Sequence, residues 1–357
     1  MKRLVLASLT LLCASVALAE EAAAPPVSEK VAKLINEALP TCTEAVKMSR
    51  VAVPKKMPLG ITGSIVRVES DRGSCAGNWI NANTPEGSFF LGVPWFLENE
   101  KGTIEEKLKN FAWNNMQQNF TAVVDRSAKT KDGLYRVTLL QQTERGKMPL
   151  EGEVDPEGTV FFMGHFVPAG VDVLTQRLKN FEPFTANAPA TGAAKPEVTV
   201  IEFSDFECPS CQRAAGYMKP ILAKYGDKVR YIRYDLPLVS MHPWAFSAAI
   251  AGRAIYRQKP DLFWQYKEQV YENQDKLSTF TIDDFARNFA KDHELNLERF
   301  DADVNNAALR DELLKGAGTA LVNDIRSTPS YLVNGATVDA GDGSGLEKYI
   351  AGLLAKK

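Results

Sequence analysis

VIEFSDFECPSC, residues 200–211, decides how the second half of the chain is read. Val198 to Phe203 is β-rich and mostly apolar, as a strand buried on both faces should be. Helical sequence follows at once, from Pro209 to about Tyr225. This places Cys208 at the N-cap, with Pro209 at the first helical position, where its missing N–H is no loss. Free backbone N–H groups and the positive helix end stabilise a thiolate at such a position. A thiolate is both nucleophile and leaving group in disulfide exchange. Cys211 lies one turn on, on the same face and further inside. Cys208 is thus expected to be the exposed, acidic sulfur that attacks and is attacked, and Cys211 the shielded resolving thiol.

Two blander readings of the C-x-x-C compete with exchange. A structural zinc site needs two more ligands. The remaining candidates, Cys42, Cys75, His165, His242 and His293, show no paired short spacing near the motif. A merely structural disulfide does not require a helix start. Neither a metal nor a cofactor is expected. His242-Pro243 opens a helix, and a capping or packing role is expected for that histidine.

Working outward, residues 229–234 read as a second strand. Helical segments follow at 242–258, 261–272, 282–292 and about 305–323. A strand at 331–333 comes next, then Asn334-Gly335, a type I′ hairpin signal leading into 337–339, and a last helix at about 345–354. The order is β-α-β, a helical block, β-β-α. Upstream, residues 182–197 (EPFTANAPATGAAKPE) carry three prolines among small residues and read as a linker between domains. Residues 29–181 read as a separate α+β domain. A helix is expected from about Glu29, strands around 61–68 and 89–91, and a helix at 104–116. Hairpins are expected at 121–126 with 135–143 and at 151–154 with 159–164, and a closing helix at 171–181.

The chain has 357 residues, enough for two domains, with 45% hydrophobic and 24% charged residues, which excludes wholesale disorder. Its formal charge of −2 offers no basic excess for nucleic acid. Lys2 and Arg3, the apolar run 4–12 and Ala17-Leu18-Ala19 form a secretory signal, residues 1–19, before a polar leader at 20–28. No later segment is apolar enough to span a bilayer. The expectation is therefore an exported, periplasm-like location, which is oxidising. Cys13 leaves with the signal, and Cys42, Cys75, Cys208 and Cys211 form an even set. A Cys42–Cys75 bridge would close a loop of about 34 residues and stabilise by roughly 3–4 kcal/mol. These two could instead be a second redox pair. They lack the strand-to-helix setting, which favours a structural disulfide.

Residues 197–357 resemble the DsbA-like branch of the thioredoxin superfamily, bacterial exported thiol-disulfide oxidoreductases. The residues that carry the resemblance are VIEFSDFECPSC at 200–211, the helical insertion at about 242–323 and STPSYLVNG at 327–335, in the family's order. It implies an α/β thioredoxin fold with a helical insertion over 198–357. It implies that Pro329, after Thr328, is the cis-proline facing the cysteines and offering backbone groups to substrate. It implies that Glu202 is the buried acid that takes the Cys211 proton. Pro209 and Ser210 match the pair that tunes redox potential. The best-known member has a histidine where Ser210 stands, and Ser210 cannot donate imidazolium charge, which argues against a very low Cys208 pKa and very strong oxidising power.

The implied activity is exchange with substrate protein cysteines, most readily as a dithiol oxidase reoxidised by a membrane quinone-linked thiol oxidase. The alternative is a disulfide isomerase or reductase, served by a membrane reductase, with residues 29–181 forming a homodimer through free sheet edges. A third reading is a non-catalytic binding scaffold, which the intact C-x-x-C and Glu202 argue against.

Overall fold

The computed structural model describes residues 29, 32–33, 47–52, 57–69 and 77–356. The signal segment 1–19, the leader, most of the helix expected from Glu29, and Cys42 and Cys75 lie outside the described residues. No helix among the described residues is long and apolar enough to cross a membrane.

The N-terminal half holds two antiparallel five-stranded sheets. The first orders β1 (Lys47–Ala52), β2 (Thr62–Glu69), β3 (Gly77–Asn83) and β4 (Phe89–Leu91), closed by β10 (Phe166–Val167). The second orders β5 (Val93–Phe96), β9 (Val160–Met163), β8 (Gly146–Val154), β7 (Tyr135–Thr143) and β6 (Phe120–Lys129). Phe90 and Phe166 from the first sheet meet Phe162 from the second at ring centroids of 5.2 and 5.0 Å, so the sheets share apolar contacts. Helix α1 (Ile104–Met116) starts on a capping box made by Thr103 and Glu106 and buries Ile104, Leu108 and Ala112. The hairpins and α1 lie close to where the periodicity places them. Strands β1, β3 and β5 add to that reading.

The C-terminal half is a mixed sheet in the order β11-β13-β12-β14-β15. Its strands are β11 (Ala190–Gly192), β12 (Val198–Ser204), β13 (Val229–Asp235), β14 (Ser330–Val333) and β15 (Ala336–Val338), with β12 and β13 parallel. Asn334 and Gly335 both have positive φ, at 48° and 88°, as a type I′ turn requires. A Cβ at Gly335 would sit 2.2 Å from the Leu174 carbonyl oxygen, so glycine is needed there twice over. Between β13 and β14 stand five helices: α5 (Ala245–Gln258), α6 (Leu262–Glu272), α7 (Ile282–Asp292), α8 (Leu297–Val304) and α9 (Ala307–Val322). Helices α3 (Pro209–Ala214) and α4 (Met218–Tyr225) follow β12, and α10 (Ser344–Ala355) ends the fold.

The boundary expected at 182–197 is not a linker. Helix α2 (Val173–Thr185) runs into it, and residues 190–192 form β11, antiparallel to β13. The pairing partner, not local composition, makes this Ala/Pro-rich segment extended. The helix expected to close the N-terminal domain also belongs with the other half. Phe181 of α2 packs edge-on against Phe203 and Tyr234 at 4.9 and 5.5 Å. The two halves dock directly where α9 lies on β8. A Cβ at Gly318 would fall 1.9 Å from the Pro149 carbonyl oxygen, so the helix backbone rests on the strand backbone.

Candidate active site

Strand β12 ends at Ser204 and the chain turns through Asp205 to Cys208, which caps α3 with extended φ/ψ of −74° and 119°. The Cys208 carbonyl accepts from Cys211 N at 3.0 Å and Gln212 N at 3.1 Å, so the first turn closes directly behind the cysteine. Pro209 occupies the first helical position and Ser210 the second. Ser210 Oγ accepts from Arg213 at 2.7 Å. The Thr328–Pro329 peptide is cis and lies across from the pair. As a thiol, Cys208 Sγ donates to the Thr328 carbonyl at 3.3 Å. Among the described residues the buried Thr328 hydroxyl has no hydrogen-bond partner of its own, a donor able to turn to a thiolate.

Both cysteines are free thiols. Cys208 is only 7% exposed, against the expectation of an exposed sulfur, because the Thr328–Pro329 loop lies over it; Cys211 is fully buried at 0%. A hydrogen bond from the Cys211 thiol, aided by Thr328 and by the N–H groups of Cys211 and Ser210, outweighs burial and holds Cys208 down to about 5. The low value arises without a histidine between the cysteines, so Ser210 does not prevent strong thiolate stabilisation. Burial first, then the contact with Cys208, pushes Cys211 well above the ordinary thiol range. Its Sγ accepts from Asp205 N at 3.4 Å. The charge therefore collects on the outer sulfur and the inner one keeps its proton.

Beneath the pair lies a layer of buried charge. Glu202 is 1% exposed and accepts from Tyr231 Oη at 2.6 Å, leaving its second oxygen buried without a partner among the described residues. It is bonded to Tyr231 rather than to Cys211. Lys267 of α6 donates to the same Tyr231 oxygen at 3.3 Å. Burial pushes its ammonium down and Arg233 adds to that, while Glu202 and, more weakly, Cys211 oppose the shift. Arg233 stacks on Phe206 at 3.9 Å and pairs with Asp235, which also takes Arg253 at 2.6 Å.

Several site residues escape sequence reasoning because they come from distant segments. Asp205 is 1% exposed and accepts from Glu207 N at 2.7 Å, Leu238 N at 2.8 Å and His242 Nδ1 at 2.8 Å. The Glu207 carboxylate caps the start of α5 through Trp244 N and Ala245 N, at 2.7 and 3.1 Å. His242, expected to serve as a cap or in packing, is instead seated on the motif loop. Gln274 donates to the carbonyls of Phe206 and Cys208 at 2.8 and 3.2 Å.

A cavity of about 790 Å³ opens beside the pair. One wall is Ser210, Arg213, Tyr217 and Pro329, and the other includes His165 and Val167 of the N-terminal half. Among the described residues no cluster of three or more His, Cys, Asp or Glu side chains is placed to hold a metal ion.

Residues 185–351 match the family model described as Thioredoxin. Over 142 residues the chain is 29% identical to a probable disulfide bond formation protein D of Bacillus cereus, covering 39% of this chain and 66% of that protein. It is 33% identical over 140 residues to a Na(+)/H(+) antiporter NhaA 1 of Mycolicibacterium vanbaalenii, covering 39% of this chain. The chain spans only 22% of the antiporter's length. Among solved structures, oxidised BdbD of Bacillus subtilis is 22% identical, with 48% of this chain and 94% of that chain covered at a TM-score of 0.42. The family match at 185–351 and the strand-helix setting of the cysteine pair make this half of the chain similar to the Thioredoxin family and to a probable disulfide bond formation protein.

Proposed function

We propose that the chain is a protein thiol-disulfide oxidoreductase that exchanges a Cys208–Cys211 disulfide with substrate cysteines, working foremost as a dithiol oxidase. One observation carries this reading. Cys208 sits at a helix start under the Thr328–Pro329 loop with its pKa drawn down to about 5, while Cys211 is sealed behind it. A substrate thiolate attacks Cys208 Sγ, the S–S bond breaks and Cys211 leaves, taking up a proton. A second substrate thiolate then attacks the substrate sulfur of the mixed disulfide. Cys208 leaves as a thiolate held by the helix end and Thr328. The substrate dithiol has lost two electrons and the pair has gained them. A leaving group this acidic departs readily, and stabilising the reduced form makes the disulfide a stronger oxidant.

Export to an oxidising, periplasm-like compartment is part of this proposal, supported by Lys2, Arg3, the apolar run and Ala17-Leu18-Ala19. So is reoxidation by a membrane quinone-linked thiol oxidase, because each turnover leaves the pair reduced. Substrate cysteines are proposed to enter through the cavity beside Pro329. We assign Glu202 to the buried proton site behind Cys211 and treat Cys42–Cys75 as a structural bridge.

The isomerase or reductase alternative has one observation in its favour. The cavity is walled by both halves of one chain, a place to hold a misfolded segment beside the cysteines. Such a cleft needs no second copy, so it does not by itself call for the homodimer through residues 29–181; light scattering at micromolar concentration tests for one. The Cys208/Cys211 equilibrium in a glutathione buffer decides between the chemistries. The oxidase reading expects a potential well above the thioredoxin value of about −270 mV and oxidation of a reduced substrate protein. A potential near that value, with repair of a scrambled substrate, would replace it by the alternative, which draws electrons from a membrane reductase.

A further inference from the structure

We propose that His242 is a positioning residue whose proton is coupled to the charge on Cys208, so that reducing the Cys208–Cys211 disulfide draws a proton onto its imidazole. The inference rests on the exchange reading above. Its geometry comes from two clamps. Asp205 holds Leu238 N and His242 Nδ1, each at 2.8 Å, and Glu207 holds Trp244 N and Ala245 N. The segment from Leu238 to Ala245 is thereby stapled along the loop that delivers Cys208. His242 is partly covered, its side chain 17% exposed, and its partner Asp205 is sealed from water.

Asp205 creates the need for a cation. Its backbone binds both cysteines, the carbonyl accepting from Cys208 N at 3.4 Å and the N–H donating to Cys211 Sγ at 3.4 Å. A buried carboxylate three residues before the nucleophile opposes a second negative charge there. An imidazolium on that carboxylate cancels the opposition. The charged groups facing His242 are Asp205, Glu207 and Cys208, each favouring its protonated form, with the Asp205 hydrogen bond the largest influence. On the other side, Arg145 of the N-terminal half bonds the Pro243 carbonyl at 2.5 Å and is a cation that a titration must reckon with.

Coupling is reciprocal. A thiolate at Cys208 favours imidazolium at His242, and imidazolium favours the thiolate. In the disulfide both sulfurs are neutral and that part of the attraction is gone. Of the two protons a substrate dithiol loses in oxidation, one goes to Cys211; the other is released to solvent, and His242 holds a fraction of it near neutral pH. The chain holds three histidines, so imidazole resonances can be followed individually by NMR.

The test is a pH titration of the full chain, oxidised and reduced. The expected result is a His242 pKa higher in the reduced protein by about half a unit or more, against an unperturbed value of about 6.5. His165 and His293 serve as internal controls expected to move little. In His242→Gln, the Cys208 thiolate absorbance should titrate about half a unit or more higher than in the unaltered chain. A packing role would change stability but leave both titrations in place. Equal His242 pKa values in the two redox states, or an unmoved Cys208 titration in His242→Gln, overturn the inference while the exchange reading stands. If mass spectrometry finds no Cys208–Cys211 disulfide after oxidation, both readings fall together.

Discussion

Asp235 in the C-terminal half and Glu153 in the N-terminal half are both buried carboxylates, 2% and 8% exposed. Asp235 lies between two arginines, Arg233 and Arg253, the first stacked on Phe206 directly before the active-site turn. Among the described residues Glu153 has no ion pair and one of its oxygens has no partner, and its carboxyl is pushed up to about 7. Asp235 is thus buried against two cations, whereas Glu153 is buried without one and is easier to keep protonated. The paired charges stand beneath the cysteines, where a fixed field can act on a sulfur. The lone acid stands on β8, whereas the wall that the N-terminal half gives the cavity, His165 to Pro168, lies at β10 of the other sheet. The contrast places the doubly paired acid in the C-terminal half, with the cysteines, and the lone acid in the N-terminal half.

The largest expected effect tests whether the chemistry is confined to one half. Cys208→Ser should lower exchange by about a thousandfold or more, since no comparable nucleophile replaces it. Cys211→Ser should keep the attacking sulfur and accumulate mixed disulfides with oxidised protein substrates, read on non-reducing gels. The double variant Cys42→Ser with Cys75→Ser should lower stability but keep the exchange rate within about twofold. A rate collapse in that double variant would transfer part of the redox chemistry to the N-terminal half.

Next in size is the paired acid. Asp235→Asn leaves Arg233 and Arg253 buried without their counter-charge, and breaking a buried pair from one side costs about 3–5 kcal/mol. Urea unfolding should show that loss. A loss under about 1 kcal/mol would mean that the arginines find other partners and that the halves do not differ as described.

The junction between the halves comes third. Gly318→Ala places a methyl group where the Pro149 carbonyl oxygen stands, 1.9 Å away, and backbone cannot swing aside as a long side chain does. Overpacking of this kind costs about 1–3 kcal/mol. Proteolysis should become easier between the halves, and unfolding should broaden if the docking helps the two melt together.

The sequence signals that succeeded are local ones. A strand, a turn and a helix with proline at its first position can be read from consecutive residues, and so can the Asn334-Gly335 turn and four of the five helices between β13 and β14, α8 being the one the periodicity does not give. What escaped depends on partners far along the chain. Strand β11 is three residues of Ala-Thr-Gly that become extended by pairing with β13, and no local pattern announces it. Helix α2 carries Pro183 inside it, which reads as a linker until Phe181 is seen packing on Phe203 and Tyr234. His242 and Lys267 reach the site from 34 and 59 positions beyond Cys208, on segments whose periodicity reports only a buried face. Cys208 reads as an exposed helix cap because the loop covering it arrives 120 residues later.

The smallest expected effect concerns Glu153 and gives the sharpest pH signature. Burial is the main cause of its raised pKa; Asp132 adds to it, and the Thr130 hydrogen bond and Arg136 work against it. In the unfolded chain the carboxyl titrates near the ordinary value of about 4.3. Between about pH 4.3 and 7 the folded protein keeps a proton that the unfolded chain releases. Stability must therefore fall as pH rises through that window and level off above about 7. Glu153→Gln carries no such proton. Relative to the unaltered protein it should gain stability between pH 4 and pH 8, by about 1 kcal/mol or more, while the buried amide's own unmet hydrogen bonds shift it equally at both pH values. Denaturant midpoints at the two pH values measure the difference. A constant offset between the two proteins at both pH values would mean that Glu153 titrates normally and that burial does not hold its proton.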